Sequence, residues 1–156
     1  MAGVRAKVAS ERGQTIVEFA LIAPIIFLLL FGIIDFGLML NHRITLEHAV
    51  REGARFAAVT TDCAAIQQRT AERAGEIISQ DEVTVSYHEP DGAPITTAAT
   101  AGDEARVSAP FEWEFPLMSA LEAIIDVHVG PIDSEVWGSA VLERAVTDAG
   151  GCSPPP

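Results

Sequence analysis

The chain has 156 residues, 49% of them apolar, and a formal charge of −12. Its mean hydropathy is nonetheless positive, so grease and acid must be segregated: residues 41–156 hold 19 acids against 7 bases, which is the whole net charge. An acidic part of this kind repels phosphate, which argues against a nucleic-acid partner and against docking on an anionic bilayer surface.

The first fifteen residues carry Arg5, Lys7 and Arg12 against Glu11. The apolar run 16–40 follows, interrupted only by Glu18 and Asp35. A bilayer core needs about 20 apolar residues in a helix, so the run is long enough to span. The charge-free stretch between the two acids is 16 residues, about 24 Å of helix, which puts both acids near the membrane edges. Asp35 is read as a solvated acid at the outer boundary; the alternative is a partner inside a helix assembly. The bases before the span place the N-terminus in the cytoplasm and the acidic part outside. A cleaved secretory signal is the main competitor, but no small-x-small site follows the run. Pro24 should bend the span, because it lacks an N–H and crowds the preceding turn.

Glu18 raises its own question. A lone acid at the mouth of a span should have a partner, and no base lies one turn beyond it. One turn back is Gln14, preceded by Gly13. A cut between them would create an ammonium group four residues before Glu18, able to neutralise it in a packed filament. The alternative is an uncut boundary acid that stays hydrated.

The helix should continue past the membrane to about Val59, since residues 41–59 contain no proline and keep apolar residues at helical steps. Glu47–Arg51 and His48–Glu52 are i,i+4 pairs along it. Gly53 either permits close packing or is merely tolerated there. Asp62 is a good N-cap for an amphipathic helix carrying Ile66, Thr70, Ala74, Ile77 and Ile78 on one side. Alternating Val83, Val85 and Tyr87 predict a half-buried strand, "EPDGAP" a turn, and "ITTAATAGD" a loop or weak edge strand. "RVSAPFEWEF" alternates too, with Pro110 pointing to an edge position or a bulge. "PLMSALEAI" predicts a short helix, and "DVHV" and "EVWGSAVLER" further strands. Trp113, Phe111 and Trp137 are expected in the core. The fold class is therefore α+β: a long N-terminal transmembrane helix leading into a small extracytoplasmic domain of helix and mainly antiparallel sheet. By domain, residues 1–13 form a basic leader, 14–40 the span, 41–59 its continuation, 60–149 the head, and 150–156 a disordered tail.

Catalytic chemistry finds little footing. His42, His48, His88 and His128 share no metal-ligand spacing, and no phosphate loop, dinucleotide fingerprint or nucleophile elbow occurs. The acid pairs Asp81–Glu82, Asp103–Glu104 and Glu112/Glu114 read as solvated surface. No catalytic residue, metal, cofactor or small-molecule substrate is expected.

The stretch "RGQTIVEFALIAP", with Gly13, Glu18 as fifth residue after it and Phe19 next, resembles the processing site of type IV prepilins, especially the Flp/Tad branch. The longer pattern "RGQTIVEFALIAPIIFLLLFGIIDFG…REGARFAA" resembles the TadE-like (TadE/TadG) pilus assembly family, through Gly13, Glu18, Phe19, Pro24, Asp35 and Gly53 among others. The resemblance covers residues 12–58. It implies a single-pass pseudopilin or minor pilin with a pilin-like architecture in the bacterial plasma (inner) membrane. Its role would be structural, in assembly of a Tad/Flp-type adhesion pilus. Its partners would be a prepilin peptidase cutting between Gly13 and Gln14, other Tad pilins and pseudopilins, and membrane lipid. With the head outside, an oxidising compartment favours a Cys63–Cys152 disulfide, with free thiols or pairing between subunits as the alternatives. Two rival functions stand beside this one: an anchored extracytoplasmic binding domain unrelated to filaments, and an anchored hydrolase.

Overall fold

The computed structural model describes residues 3–119, 129–147 and 149, with residues 3–12 described for their backbone only. The chain divides into two compact units. One comprises Met1–Leu38 with Phe115–Gly130; the other comprises Met39–Glu114 with Pro131–Pro156.

A single helix, α1 (Gly3–Ala57), runs through Pro24 without a break. It ends in two turns, with Ala58 N–H donating to the Ala54 carbonyl and Thr60 N–H to Phe56. From residue 16 to residue 40 nearly every large apolar side chain of α1 is exposed, Leu21 and Ile33 to 72%. Burying an aliphatic side chain is worth about 1.5–3 kcal/mol. A dozen left in water would cost on the order of tens of kcal/mol, more than a domain's whole stability.

In the second unit, Asp62 caps α2 (Cys63–Ala74) by accepting from Ala65 N–H at 3.3 Å. The expected helix reached Ile78. It stops at Gly75, whose φ of 69° turns the chain left-handed while its N–H closes on the Ala71 carbonyl. A 3-10 turn, Gln80–Glu82, follows, with Glu82 reaching back to the N–H and hydroxyl of Ser79.

The sheet holds β1 (Thr84–His88), β2 (Pro94–Ile95), β3 (Glu104–Trp113) and β4 (Ile132–Val141). Their order is β2-β1-β3-β4, all antiparallel. Val83, Val85 and Tyr87 are buried, as their alternation implies, and Ala105, Val107, Ala109 and Phe111 join them from β3. The β1–β2 connection closes on Gly92, at φ 92°, where its N–H meets the Glu89 carbonyl. Pro110 lies in an interior strand, yet its place is an edge in effect. β1 pairs with β3 only as far as Ser108, so Pro110 faces a strand on the β4 side alone, opposite Glu135.

The core of this unit lies between Leu46, Val50 and Ala54 of α1, Ile66 and Thr70 of α2, and the inner face of the sheet. The chain then returns through Leu142, Val146 and Ala149, all buried, with Glu143 N–H donating to the Ala58 carbonyl. Of the expected "DVHV" strand, residues 126–128 lie outside the described residues; of "PLMSALEAI", residues 116–119 are helical and the rest likewise lies outside. Trp137, expected in the core, is 56% exposed instead. Its neighbour Gly138 takes the inward position, and the Arg106 guanidinium lies over the indole at 4.8 Å.

Candidate functional site

The residues singled out by sequence distribute along α1. At its start, Gln14 and Glu18 lie on one face, and the Gln14 amide donates to Glu18 Oε1 at 3.1 Å. Both are exposed, as is Phe19. The spacing that would bring a new terminal amine near Glu18 is thus already occupied by the side chain of the same residue. Gly13 has open space around it.

Asp35 departs from the reading of a solvated boundary acid. It is fully buried. Its carboxylate accepts Leu117 N–H, at 3.1 Å to the nearer oxygen, and Met118 N–H at 2.9 Å. Residues 116–119 form a helical turn, so Asp35 supplies from 82 positions away the acceptor that an N-cap residue usually supplies locally. An anion also complements the positive end of the helix dipole.

Farther along α1, within the second unit, Gly53 and α2 meet closely. A Cβ at Gly53 would collide with Thr70 Oγ1, and would stand 3.2 Å from Thr70 Cβ. Thr70 is itself buried, and its hydroxyl donates to the Ile66 carbonyl at 2.9 Å. Of the two readings of Gly53, close packing is the one the geometry supports. Gly138 of β4 does the same from the sheet: its Cβ would stand 2.8 Å from Arg51 N and 2.9 Å from Arg51 Cα. These two glycines let α2 and β4 approach the α1 backbone.

Ion pairs lie along the same part of α1. Glu47 takes both Arg51, at 3.1 Å, and Arg43, at 3.5 Å. Glu52 turns from the expected His48 to Arg69 and Arg73 of α2, at 3.4 and 3.7 Å. All are partly exposed and contribute at most about 1 kcal/mol each.

The histidines occupy separate surroundings. His42 meets the edge of Trp113 at 5.0 Å between ring centres. The ring of His88 bonds to the Ser86 hydroxyl and the Gly92 carbonyl, and His128 lies outside the described residues. Among the described residues no cluster of three His, Cys, Asp or Glu side chains could hold a metal ion. Asp81, fully exposed, is held below its ordinary value by hydrogen bonding, first from the Ser79 side chain. Cys63 opens α2 and is not a free thiol; Cys152 lies outside the described residues.

Among the described residues one helix is long and apolar enough to cross a membrane, Gly13–Ala57, and α2 and the four-stranded antiparallel sheet follow it in the chain. That layout is the one expected of a single-pass membrane anchor. Comparison with protein families matches residues 13–55 to the TadE-like protein family. No curated protein and no solved structure matches the chain. The match begins at Gly13 and ends in the last turn of α1.

The partners of Asp35 and Gly53 had no local signal to reveal them. Leu117 and Met118 become neighbours of Asp35, and Thr70 of Gly53, only in the folded chain.

Proposed function

We propose that this protein is a single-pass pseudopilin or minor pilin that takes a structural part in assembling a Tad/Flp-type pilus. In this reading, residues 1–13 are a cytoplasmic leader that a prepilin peptidase removes between Gly13 and Gln14. Residues 14–40 cross the inner membrane, residues 41–59 continue the helix, and residues 60–149 form an extracytoplasmic head. Cys63 and Cys152 are joined there. Other pilins and pseudopilins pack against the apolar length of α1.

The observation that carries the proposal is the TadE-like match, which opens on Gly13 and includes Glu18 as the fifth residue after it. The Gln14–Glu18 bond supports it physically. In the uncut chain, Glu18 has a neutral amide for a partner. After cutting, the α-amine of Gln14 brings a positive charge to the same end of the helix. A charged partner stabilises a carboxylate in an apolar assembly far more than an amide does.

The test is a pair of variants in the native cell. Glu18→Ala and Gly13→Trp should each leave protein in the membrane and abolish pili in sheared fractions and by electron microscopy. Normal piliation in both would refute the reading and favour a plain anchor.

A further inference from the structure

We infer that residues 115–119, between β3 and β4, form a second membrane-contacting element, lodged at the outer bilayer interface and held there by Asp35. This rests on α1 being the membrane anchor.

Counting from Ile16, where the apolar run opens, Asp35 is the twentieth residue, about 30 Å along a helix and so at the far boundary of a hydrocarbon core. Its carboxylate holds the backbone N–H groups of Leu117 and Met118 at 3.1 and 2.9 Å. Those residues therefore share its depth.

Composition agrees. As the chain leaves exposed Glu114 it enters Phe-Pro-Leu-Met, four apolar residues without a charge, and Phe115, Leu117 and Met118 are each only partly covered. An apolar run left half-covered beside a membrane span is continuous with the lipid-facing surface of that span. The segment from Phe115 falls in one compact unit with α1 up to Leu38, while β3 and β4 fall in the other.

The face of α1 on this side also differs from the rest of the span. Phe31 and Leu28, one and two turns below Asp35, are half-buried, whereas Leu29 and Ile33 beside them are 60% and 72% exposed. The covered face thus extends about 10 Å from Asp35 toward the bilayer centre.

Asp35 makes this arrangement possible for both parties. The first N–H groups of a helical turn have no intrahelical acceptor and cannot be left bare near lipid. A carboxylate in the span is equally unstable alone. Each satisfies the other, and the result is a clamp between positions 82 residues apart.

The experiment is lipid quenching on the full chain in phosphatidylcholine vesicles carrying brominated acyl chains. Trp113 and Trp137 are replaced by Phe, and a single reporter is introduced as Met118→Trp or, at mid-span, Leu29→Trp. The inference predicts that both reporters are quenched by brominated lipid and poorly by aqueous iodide. Adding Asp35→Ala should cut lipid quenching at least twofold for Met118→Trp and leave Leu29→Trp unchanged. If Leu29→Trp is quenched by lipid but Met118→Trp only by iodide, the inference fails and the anchor stands. If neither is quenched by lipid, the anchor fails and the inference with it. A benzophenone amino acid at position 118, in the otherwise unaltered chain and in native membranes, gives an independent check. Phospholipid adducts are expected, and adducts with protein alone would overturn the inference.

Discussion

Gly138→Ala is the most direct probe of how β4 rests on α1. The added methyl would stand 2.8, 2.9 and 3.0 Å from Arg51 N, Arg51 Cα and Val50 C, where carbon contacts are comfortable at about 3.5–4.0 Å. All three are backbone atoms of a helix, so no side chain can rotate aside. Either β4 or α1 must retreat by about 0.7 Å against a close-packed core. Overpacking of this sort costs about 1–3 kcal/mol, and a rigid backbone obstacle argues for the upper end. Against this, alanine in a strand gains roughly 0.5–1 kcal/mol over glycine through backbone entropy. The net expectation is a loss of about 2 kcal/mol. For a domain of this size each kcal/mol moves the melting temperature by about 4–8 °C, so the midpoint should fall by about 10 °C. Thermal unfolding of the full chain in detergent, followed by near-ultraviolet circular dichroism of Trp113 and Trp137, measures it. Gly130→Ala, with nothing within 4 Å of its Cβ, is the control and should move stability by no more than about 0.5 kcal/mol. An unchanged or raised midpoint for Gly138→Ala would refute the contact.

Gly53→Ala should behave unlike a glycine in an open helix, where alanine gains about 1 kcal/mol. Collision with buried Thr70 should make it neutral to destabilising by about 2 kcal/mol, with Thr70→Ala relieving it in a double-mutant cycle and additivity arguing against the contact. Tyr87 is the only tyrosine. It is buried, its hydroxyl has no partner among the described residues, and burial raises it above its ordinary value near 10. A group raised on folding contributes stability below its unfolded value and loses it as pH rises further. Phenolate absorbance should therefore stay low past pH 10 until the urea midpoint falls, and ionisation at the ordinary value with the fold intact would count against this. Trp137→Ala should cost only about 0.5–1 kcal/mol, the scale of an exposed cation–π contact with Arg106, rather than the 3–5 of a buried tryptophan; urea melts distinguish the two.

What was legible in the sequence was whatever a local period could carry. The apolar run of α1, the Asp62 cap, and the alternation of Val83, Val85 and Tyr87 each encode their structure within a few residues. Gly75 was legible in principle, as a glycine just past a helical stretch, but Ile77 and Ile78 continued the apolar pattern and masked the stop. Trp137 misled because size and hydrophobicity favour burial, while strand register, set by Gly138 against Arg51, turned it outward. The candidate site at Gly13, Gln14 and Glu18 is read from spacing alone. The surroundings of Asp35 and Gly53 were not legible. Their partners come from residues 117–118 and from α2, and nothing near either residue in the chain announces them.

The central claim is that α1 is a pilin-type helix whose working N-terminus is Gln14. Intact mass and N-terminal sequence of the protein purified from native membranes and pili test it most directly. The account predicts a chain that begins at Gln14 and lacks residues 1–13; a chain that still carries Arg5, Lys7 and Arg12 in both fractions would contradict it.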